Sequence, residues 1–199
     1  MSRLVLAPLL FCLCLLVGAP GAAYADRPAA GSAGPSQRAQ GLPSKQVWLR
    51  DVSRAMEGSW SYLGRRAEAR RPGERLAVVL DIDNTSIATE YAWPRPVKKV
   101  LAFARRADRL GVTVYFATGR TKGQLGDTPQ VLRDAGYRFR AVCVRHSPQQ
   151  SLVAGKVRCR KSFERRGYTI IAVIGNRRTD MRGGHLERSF KLPSYGRLS

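Results

Sequence analysis

Acidic residues are scarce in this chain. Its 199 residues include 14 aspartates and glutamates against 35 lysines and arginines, which leaves a formal net charge of +21. Only seven of the basic residues are lysine, so arginine carries most of the charge, and an arginine-rich genome can account for part of that excess. A balance this basic attracts polyanions or a phosphorylated substrate by long-range steering.

Nucleic-acid-binding motifs are also missing. The sequence has no zinc-finger spacing, no RNP motif and no heptad pattern, and its basic residues are spread throughout. We find no internal repeats. The charge therefore predicts acidic polymers as general partners but no specific nucleic-acid site.

Cysteine is limited to four residues, of which Cys12 and Cys14 lie in an apolar N-terminal stretch. The remaining two, Cys143 and Cys159, are 16 residues apart. An even pair in an oxidising compartment favours a disulfide, which for this loop length would contribute about 3 kcal/mol. Two separate buried thiols are the alternative, because Cys143 lies in an apolar strand pattern.

The N-terminus has the pattern of a secretory signal peptide: Arg3, a long apolar segment and Ala23-Tyr24-Ala25. We expect cleavage after Ala25, so that residues 1–25 are removed and the protein is secreted with no membrane segment. An uncleaved membrane anchor is the alternative. Cleavage would leave a net charge of +20 and a chain of 174 residues, which suits one domain.

Residues 26–44 are rich in Pro, Gly, Ser and Ala and predict a disordered linker. The catalytic domain is expected over 45–199, with N-terminal helices at 45–70, a candidate break at Gly58, and a core at 75–199. In the core, apolar runs alternate with helical patterns, which predicts an α/β, Rossmann-like parallel sheet flanked by helices. The four predicted strands are LAVVLDID (76–83), VTVYFATG (112–119), RAVCVRH (140–146) and TIIAVIGN (169–176).

Two carboxylates, Asp81 and Asp83, end the first apolar run on the same face of the strand. Such a pair is tolerable when a divalent cation and a positive cluster share the site. It is useful when one carboxylate attacks phosphorus and the other handles the proton of the leaving group.

The other predicted strands supply the rest of a phosphate site, because ligands bind at the carboxyl ends of parallel strands. Thr118 and Gly119 can hold a phosphoryl oxygen through a hydroxyl and a backbone N–H. Lys156, predicted at the start of the following helix, can neutralise developing negative charge. Asn176 and Asp180 offer oxygen atoms near a metal ion.

This order of motifs resembles the haloacid dehalogenase (HAD)-like phosphohydrolases, and most of all their secreted acid phosphatase branch, which includes bacterial class B and plant acid phosphatase-like proteins. The resemblance covers roughly residues 45–199. Its motifs are DIDNTS (81–86), FATGR (116–120), KVRCR (156–160), GYTIIAVIGNRRTD (167–180) and GGHLERSFKLP (183–193).

The resemblance implies a secreted, metal-dependent phosphomonoesterase that acts through an aspartyl-phosphate. Asp81 would be the nucleophile and Asp83 the acid and base, while Thr118, Gly119 and Lys156 would bind the phosphoryl group. One Mg²⁺ would be held by Asp81, the carbonyl of Asp83, and the last motif with Asn176 and Asp180. Asp180 would also orient Lys156 or a metal-bound water.

The departure from the family pattern is Asn176, where an aspartate is usual. The amide keeps an oxygen donor but loses a charge, which predicts a weakened Mg²⁺ site. The alternative function is a weak or inactive HAD-fold protein that binds polyanions through its basic surface. No full cap domain fits between the motifs, so residues 45–70 and 87–96 are the candidates to cover the site.

Overall fold

Residues 41–198 are described by the computed structural model, without the side chain of Arg197. The predicted signal peptide and linker residues 26–40 lie outside the described residues. No helix within 41–198 is long and apolar enough to cross a membrane.

A sheet of five parallel strands forms the centre of the described part, in the order β3-β2-β1-β4-β5. The strands are β1 (Arg75–Leu80), β2 (Thr113–Thr121), β3 (Ala141–Arg145), β4 (Tyr168–Gly175) and β5 (Arg188–Lys191). This arrangement confirms the predicted α/β fold. The fifth strand is not among the four predicted from the sequence; it is only four residues long and exposes three of them.

Seven α-helices surround this sheet within the described residues. They are α1 (Lys45–Ala55), α2 (Ser59–Glu68), α3 (Thr89–Ala92), α4 (Lys98–Arg109), α5 (Lys122–Leu125), α6 (Thr128–Asp134) and α7 (Leu152–Glu164). Short 3₁₀ turns occur at Arg178–Asp180 and Gly196–Leu198. Helix α7 begins four residues before Lys156, so that lysine lies one turn inside the helix rather than at its start.

Both faces of the sheet are covered, because the side chains of β1 alternate between two apolar clusters. Leu76, Val78 and Leu80 belong to the larger cluster. Ala77 and Val79 belong to the smaller one. A strand buried on both faces reads as a continuous apolar run, which explains the sequence of β1.

The N-terminal helices pack into the larger cluster, where Trp48 and Leu63 are fully buried. Gly58, with a φ of 73°, makes the break between α1 and α2 that the sequence predicts. The Arg66 guanidinium ties α2 to the sheet region through Glu74 (2.6 Å) and Glu187 (2.8 Å). The N-terminal helices are therefore part of the core. Of the two segments that the sequence offers as candidates to cover the site, residues 87–96 remain.

Cys143 of β3 and Cys159 of α7 form a disulfide, with their Cα atoms 5.7 Å apart. This settles the choice that the sequence left open between a bridge and two separate thiols. The bridge joins the edge of the sheet to the helix that carries Lys156.

Candidate active site

Asp81 directly follows β1 and is fixed through its main chain. Its N–H donates to the carbonyl of Ile174 in β4 (2.9 Å), and its own carbonyl accepts from the Ser86 hydroxyl (2.7 Å). The Thr85 hydroxyl donates to Oδ2 at 3.3 Å. The side chain is thus held at the carboxyl edge of the sheet with Oδ1 directed to Lys156.

Lys156 is buried and joins three oxygen atoms. Its Nζ lies 2.5 Å from Asp81 Oδ1, 2.8 Å from Asp180 Oδ1 and 2.6 Å from the carbonyl of Ala117. Burial disfavours the ammonium, but the charges of Asp81 and Asp180 outweigh it, and the pKa of Lys156 is raised. One cation therefore serves two buried carboxylates.

Burial raises the pKa of Asp81 to about 6. The Lys156 charge opposes the shift, and the negative charge of Asp180 adds to it. The carboxyl that faces the cavity is therefore harder to ionise than an exposed aspartate, and added positive charge would favour its reactive carboxylate form.

Asp83 forms an ion pair with Arg120. The guanidinium donates from Nε to Oδ2 (2.9 Å) and from Nη2 to Oδ1 (2.6 Å), and the Thr89 hydroxyl adds a third bond to Oδ1 (2.9 Å). Partial burial raises the pKa of Asp83, but the hydrogen bonds and charge of Arg120 hold it below the usual value. Asp83 is an ionised base in this arrangement, and donating a proton requires it to separate from Arg120.

Thr118 and Gly119 lie inside β2, which continues to Thr121 past the end predicted from sequence. The pairing of β2 with β3 is irregular between Ala117 and Thr121. The Thr118 hydroxyl is buried and accepts from the backbone N–H of Arg120 (3.2 Å). Gly119 lies on the cavity wall.

Gly119 also marks a tight approach between two elements. A Cβ atom there would come within 2.8 Å of Leu152 Cδ2 at the start of α7. Glycine thus lets the backbone of β2 lie against the helix that carries Lys156.

A cavity of about 470 Å³ opens over these groups. Its walls are formed by Asp81, Asp83, Gly119, Arg120, Gln124, Arg145, Leu152, Lys156, Arg177, Thr179 and Asp180. The structure therefore brings the two carboxylates, the glycine, the lysine and Asp180 of the sequence prediction to one space.

Asn176 differs from the other predicted residues, because its amide is turned to the C-terminal segment. Its Nδ2 donates to the carbonyl of Leu198, and the side chain is buried. Its Oδ1 is buried without a hydrogen-bond partner among residues 41–198. Within the same range, no group of three His, Cys, Asp or Glu side chains forms a metal site. The metal ligand set stays a prediction.

Asp180 is held against the end of β4. Its Oδ2 accepts from the N–H of Arg177 (2.9 Å). A Cβ atom at Gly175 would lie only 2.2 Å from that same oxygen, so glycine is needed to admit the carboxylate. The other oxygen faces Lys156, which is the arrangement expected if Asp180 orients the lysine.

Comparison with protein families identifies residues 89–198, more than half of the chain, as matching the HAD superfamily, subfamily IIIB (acid phosphatase). The chain belongs to this family. The matched range begins after Asp81 and Asp83, so the placement of these two carboxylates rests on the sequence motif and the geometry above.

Two soybean (Glycine max) proteins, the stem 28 kDa and stem 31 kDa glycoproteins, are similar in sequence to this chain. Each is 34% identical over 91 residues, which is 43% of this chain. The aligned region spans 36% and 31% of these relatives, about a third of their length.

Solved structures share the fold at low identity. The class C acid phosphatase from Bacillus anthracis matches with a TM-score of 0.60 at 14% identity, covering 75% of this chain and 79% of that one. The same enzyme with tungstate bound gives a TM-score of 0.56 at 13% identity, with the same coverage. A Pnkp1/Rnl/Hen1 complex matches at 0.53 and 16% identity, covering 64% and 48%.

Arg160 is a residue of this family member that sequence reasoning missed. It lies one turn after Lys156 on α7, and its buried guanidinium donates to the carbonyls of Asp180 (2.7 Å), Arg182 and Gly184 (2.9 Å). Two cations of helix α7 thus bind Asp180: Lys156 contacts its carboxylate, and Arg160 donates to its main-chain carbonyl. The i, i+4 spacing of the two cations was the available signal.

Proposed function

We propose that this protein is a metal-dependent phosphomonoesterase that works through an aspartyl-phosphate on Asp81. The observation that carries the proposal is the Asp81–Lys156–Asp180 triad at the edge of the sheet, in a chain of the acid phosphatase family. Phosphomonoesters are the proposed substrate class, because the cavity is lined by a nucleophilic carboxylate and by several cations that can bind the negatively charged phosphoryl group.

In the first step, an oxygen of Asp81 attacks phosphorus, and the bond from phosphorus to the ester oxygen breaks. The leaving alkoxide takes a proton from Asp83, which must first separate from Arg120 and take up that proton from solvent. Lys156 and the backbone N–H of Gly119 are the proposed holders of the phosphoryl oxygens. Charge stabilisation of this kind is usually a large part of catalysis.

In the second step, Asp83 takes a proton from water, which then attacks the phosphorus of the aspartyl-phosphate. The bond to Asp81 breaks, and inorganic phosphate leaves. Acid–base work of this type is typically worth about 10²–10⁴-fold. The first step needs Asp83 protonated and the second needs it ionised, and the contact with Arg120 favours the ionised form.

Asp81, the carbonyl of Asp83, Asn176 and Asp180 are the proposed holders of one Mg²⁺. The set contains only oxygen donors, which suits a hard cation, and the unpartnered Oδ1 of Asn176 supports a ligand role. Bound Mg²⁺ would supply positive charge that favours the ionised form of Asp81 and offsets the charge of the phosphoryl group.

Turnover of p-nitrophenyl phosphate tests the proposal. We expect activity between pH 4 and 8 that falls at least about tenfold after treatment with EDTA and returns with Mg²⁺. Added Ca²⁺ is the control for a general salt effect. Absence of turnover with several divalent metals would instead support the second candidate, a polyanion-binding protein, which the net charge of +21 and the amide at Asn176 favour.

Replacing Asn176 by aspartate tests the metal site. A hard cation gains more from a carboxylate than from an amide, so we expect the Mg²⁺ concentration for half-maximal activity to fall about tenfold. Without metal, the variant should melt at a lower temperature, because the carboxylate loses the bond to Leu198 and faces its carbonyl. Mg²⁺ should raise the melting temperature of the variant more than that of the wild type; an equal rise would remove Asn176 from the ligand set.

Export is also proposed, with cleavage after Ala25. The disulfide supports it, since such bonds persist in oxidising compartments. The intact mass of the exported protein is expected to match a chain that begins at Asp26 and lacks the two hydrogens of Cys143 and Cys159. A mass that includes Met1, or two free thiols, would contradict export in this form.

A further inference from the structure

The cavity wall carries basic side chains that are not paired with a carboxylate of the described residues. Its wall carries four basic side chains and three carboxylates. Arg120 is paired with Asp83, and Lys156 with both Asp81 and Asp180. Arg145 and Arg177 are left without a carboxylate partner in the described part of the chain.

Arg145 is built into the wall rather than extended into solvent. Its Nη1 donates to the carbonyls of Pro148 (3.3 Å) and Gln150 (3.1 Å). Its stem passes so close to Gly155 that a Cβ atom there would lie 3.3 Å from Arg145 Cγ. The stem of Arg145 is thus held beside Gly155 of α7, while the guanidinium is bound to the loop that precedes this helix. Its Nε is buried with no acceptor among the described residues.

Arg177 enters the cavity from the other side of the nucleophile. It lies two residues after β4, which pairs with β1, the strand that Asp81 follows, whereas Arg145 ends β3 at the edge of the sheet. The N–H of Arg177 is fixed to Asp180 Oδ2. Its half-buried side chain lines the same cavity as Arg145, and it forms no ion pair within residues 41–198.

We propose that Arg145 and Arg177 form a second anion subsite, which selects phosphomonoesters that carry another phosphate group. The inference rests on the proposed function and names the substrate class of that site. The reacting phosphate lies at Asp81 and Lys156, and the arginines bind the phosphate that does not react. Guanidinium groups suit this task because they bind phosphate oxygens through two parallel hydrogen bonds.

Two matched compounds test the subsite: propane-1,3-diol bisphosphate and propyl phosphate, which differ in the second phosphate. We expect wild-type kcat/KM to be at least about tenfold higher for the bisphosphate, the effect of one or two charged hydrogen bonds. The double variant R145M/R177M should lose this preference and keep its propyl phosphate turnover within about threefold. Equal turnover of both compounds by the wild type would overturn the subsite and leave the proposed function standing.

The control is R178M, which removes one positive charge, against two in the double variant, from an exposed position that is not on the cavity wall. If R178M lowers the bisphosphate preference as much as the double variant, general charge attraction and not contact explains it, and the subsite is overturned.

A binding measurement separates failure of the subsite from failure of the activity. Propane-1,3-diphosphonate and propylphosphonate are compared by calorimetry in EDTA, so that neither turnover nor metal chelation contributes. Tighter binding of the diphosphonate, lost in R145M/R177M, supports the subsite even if no ester is hydrolysed. Equal binding of the two phosphonates overturns it.

Discussion

Replacing Asp81 by asparagine is expected to abolish phosphatase activity while leaving the fold intact. Asparagine has the shape of aspartate, and its Oδ1 can still accept from Lys156, but an amide cannot form the phosphoryl intermediate. Loss of a nucleophile in other hydrolases costs on the order of 10⁶-fold. We expect at least about a 10⁴-fold lower kcat for p-nitrophenyl phosphate.

The matched control is Asp134→Asn on α6. This carboxylate is exposed and accepts only from Gln130 within the described structure (2.7 Å), so its replacement should leave kcat within about twofold. If the arginine-rich surface binds polyanions, as the second candidate function requires, Asp81→Asn should retain that salt-sensitive binding. Turnover within tenfold of the wild type would show that Asp81 is not the nucleophile.

Replacing Lys156 by methionine is expected to damage both activity and stability. The change removes the cation from two buried carboxylates, and breaking a buried pair in this way typically costs about 3–5 kcal/mol. Protonation of Asp81 limits the loss, since its pKa is already raised to about 6 with the lysine present. Urea unfolding in EDTA measures the free energy difference.

The pH dependence of this loss has a definite sign. Without Lys156, the pKa of Asp81 in the folded state lies further above its unfolded value, so protonation favours the folded state. The stability deficit of the variant should therefore be smaller at pH 5 than at pH 8. Lys161→Met, an exposed lysine on the same helix, is the control and should show no such difference. A deficit that is independent of pH would contradict the shared-cation arrangement.

The buried strands were predictable from sequence because they are covered on both faces. In a run such as AVVL the side chains on both faces of the strand are buried, so every residue is apolar and the strand can be recognised from its composition. Strand β5 escaped prediction because three of its four residues are exposed, and only Phe190 faces the core. Its strand conformation depends on pairing with β4, which no local pattern of its own sequence reveals.

The positions of site residues that follow strand ends were predictable from the sequence. The contacts of long side chains were less predictable, because such side chains can reach several neighbours. Asp81, Asp83 and Lys156 could be assigned to one edge from topology alone. The pair of hydrogen bonds from Arg120 to Asp83 could not be predicted, because the chain has many arginines and the sequence does not show which of them lies near that carboxylate. The direction of the Asn176 amide depends on a carbonyl 22 residues later in the chain.

The disulfide between Cys143 and Cys159 has a further consequence for the durability of the cavity. Arg145 and Lys156 both lie inside the covalent ring that the bridge closes, and the loop at 146–151 that joins them is largely exposed. A proteolytic nick in this loop would leave the two sides connected through sulfur. The ring thus makes the connection between two cavity cations independent of the most accessible peptide bonds near them.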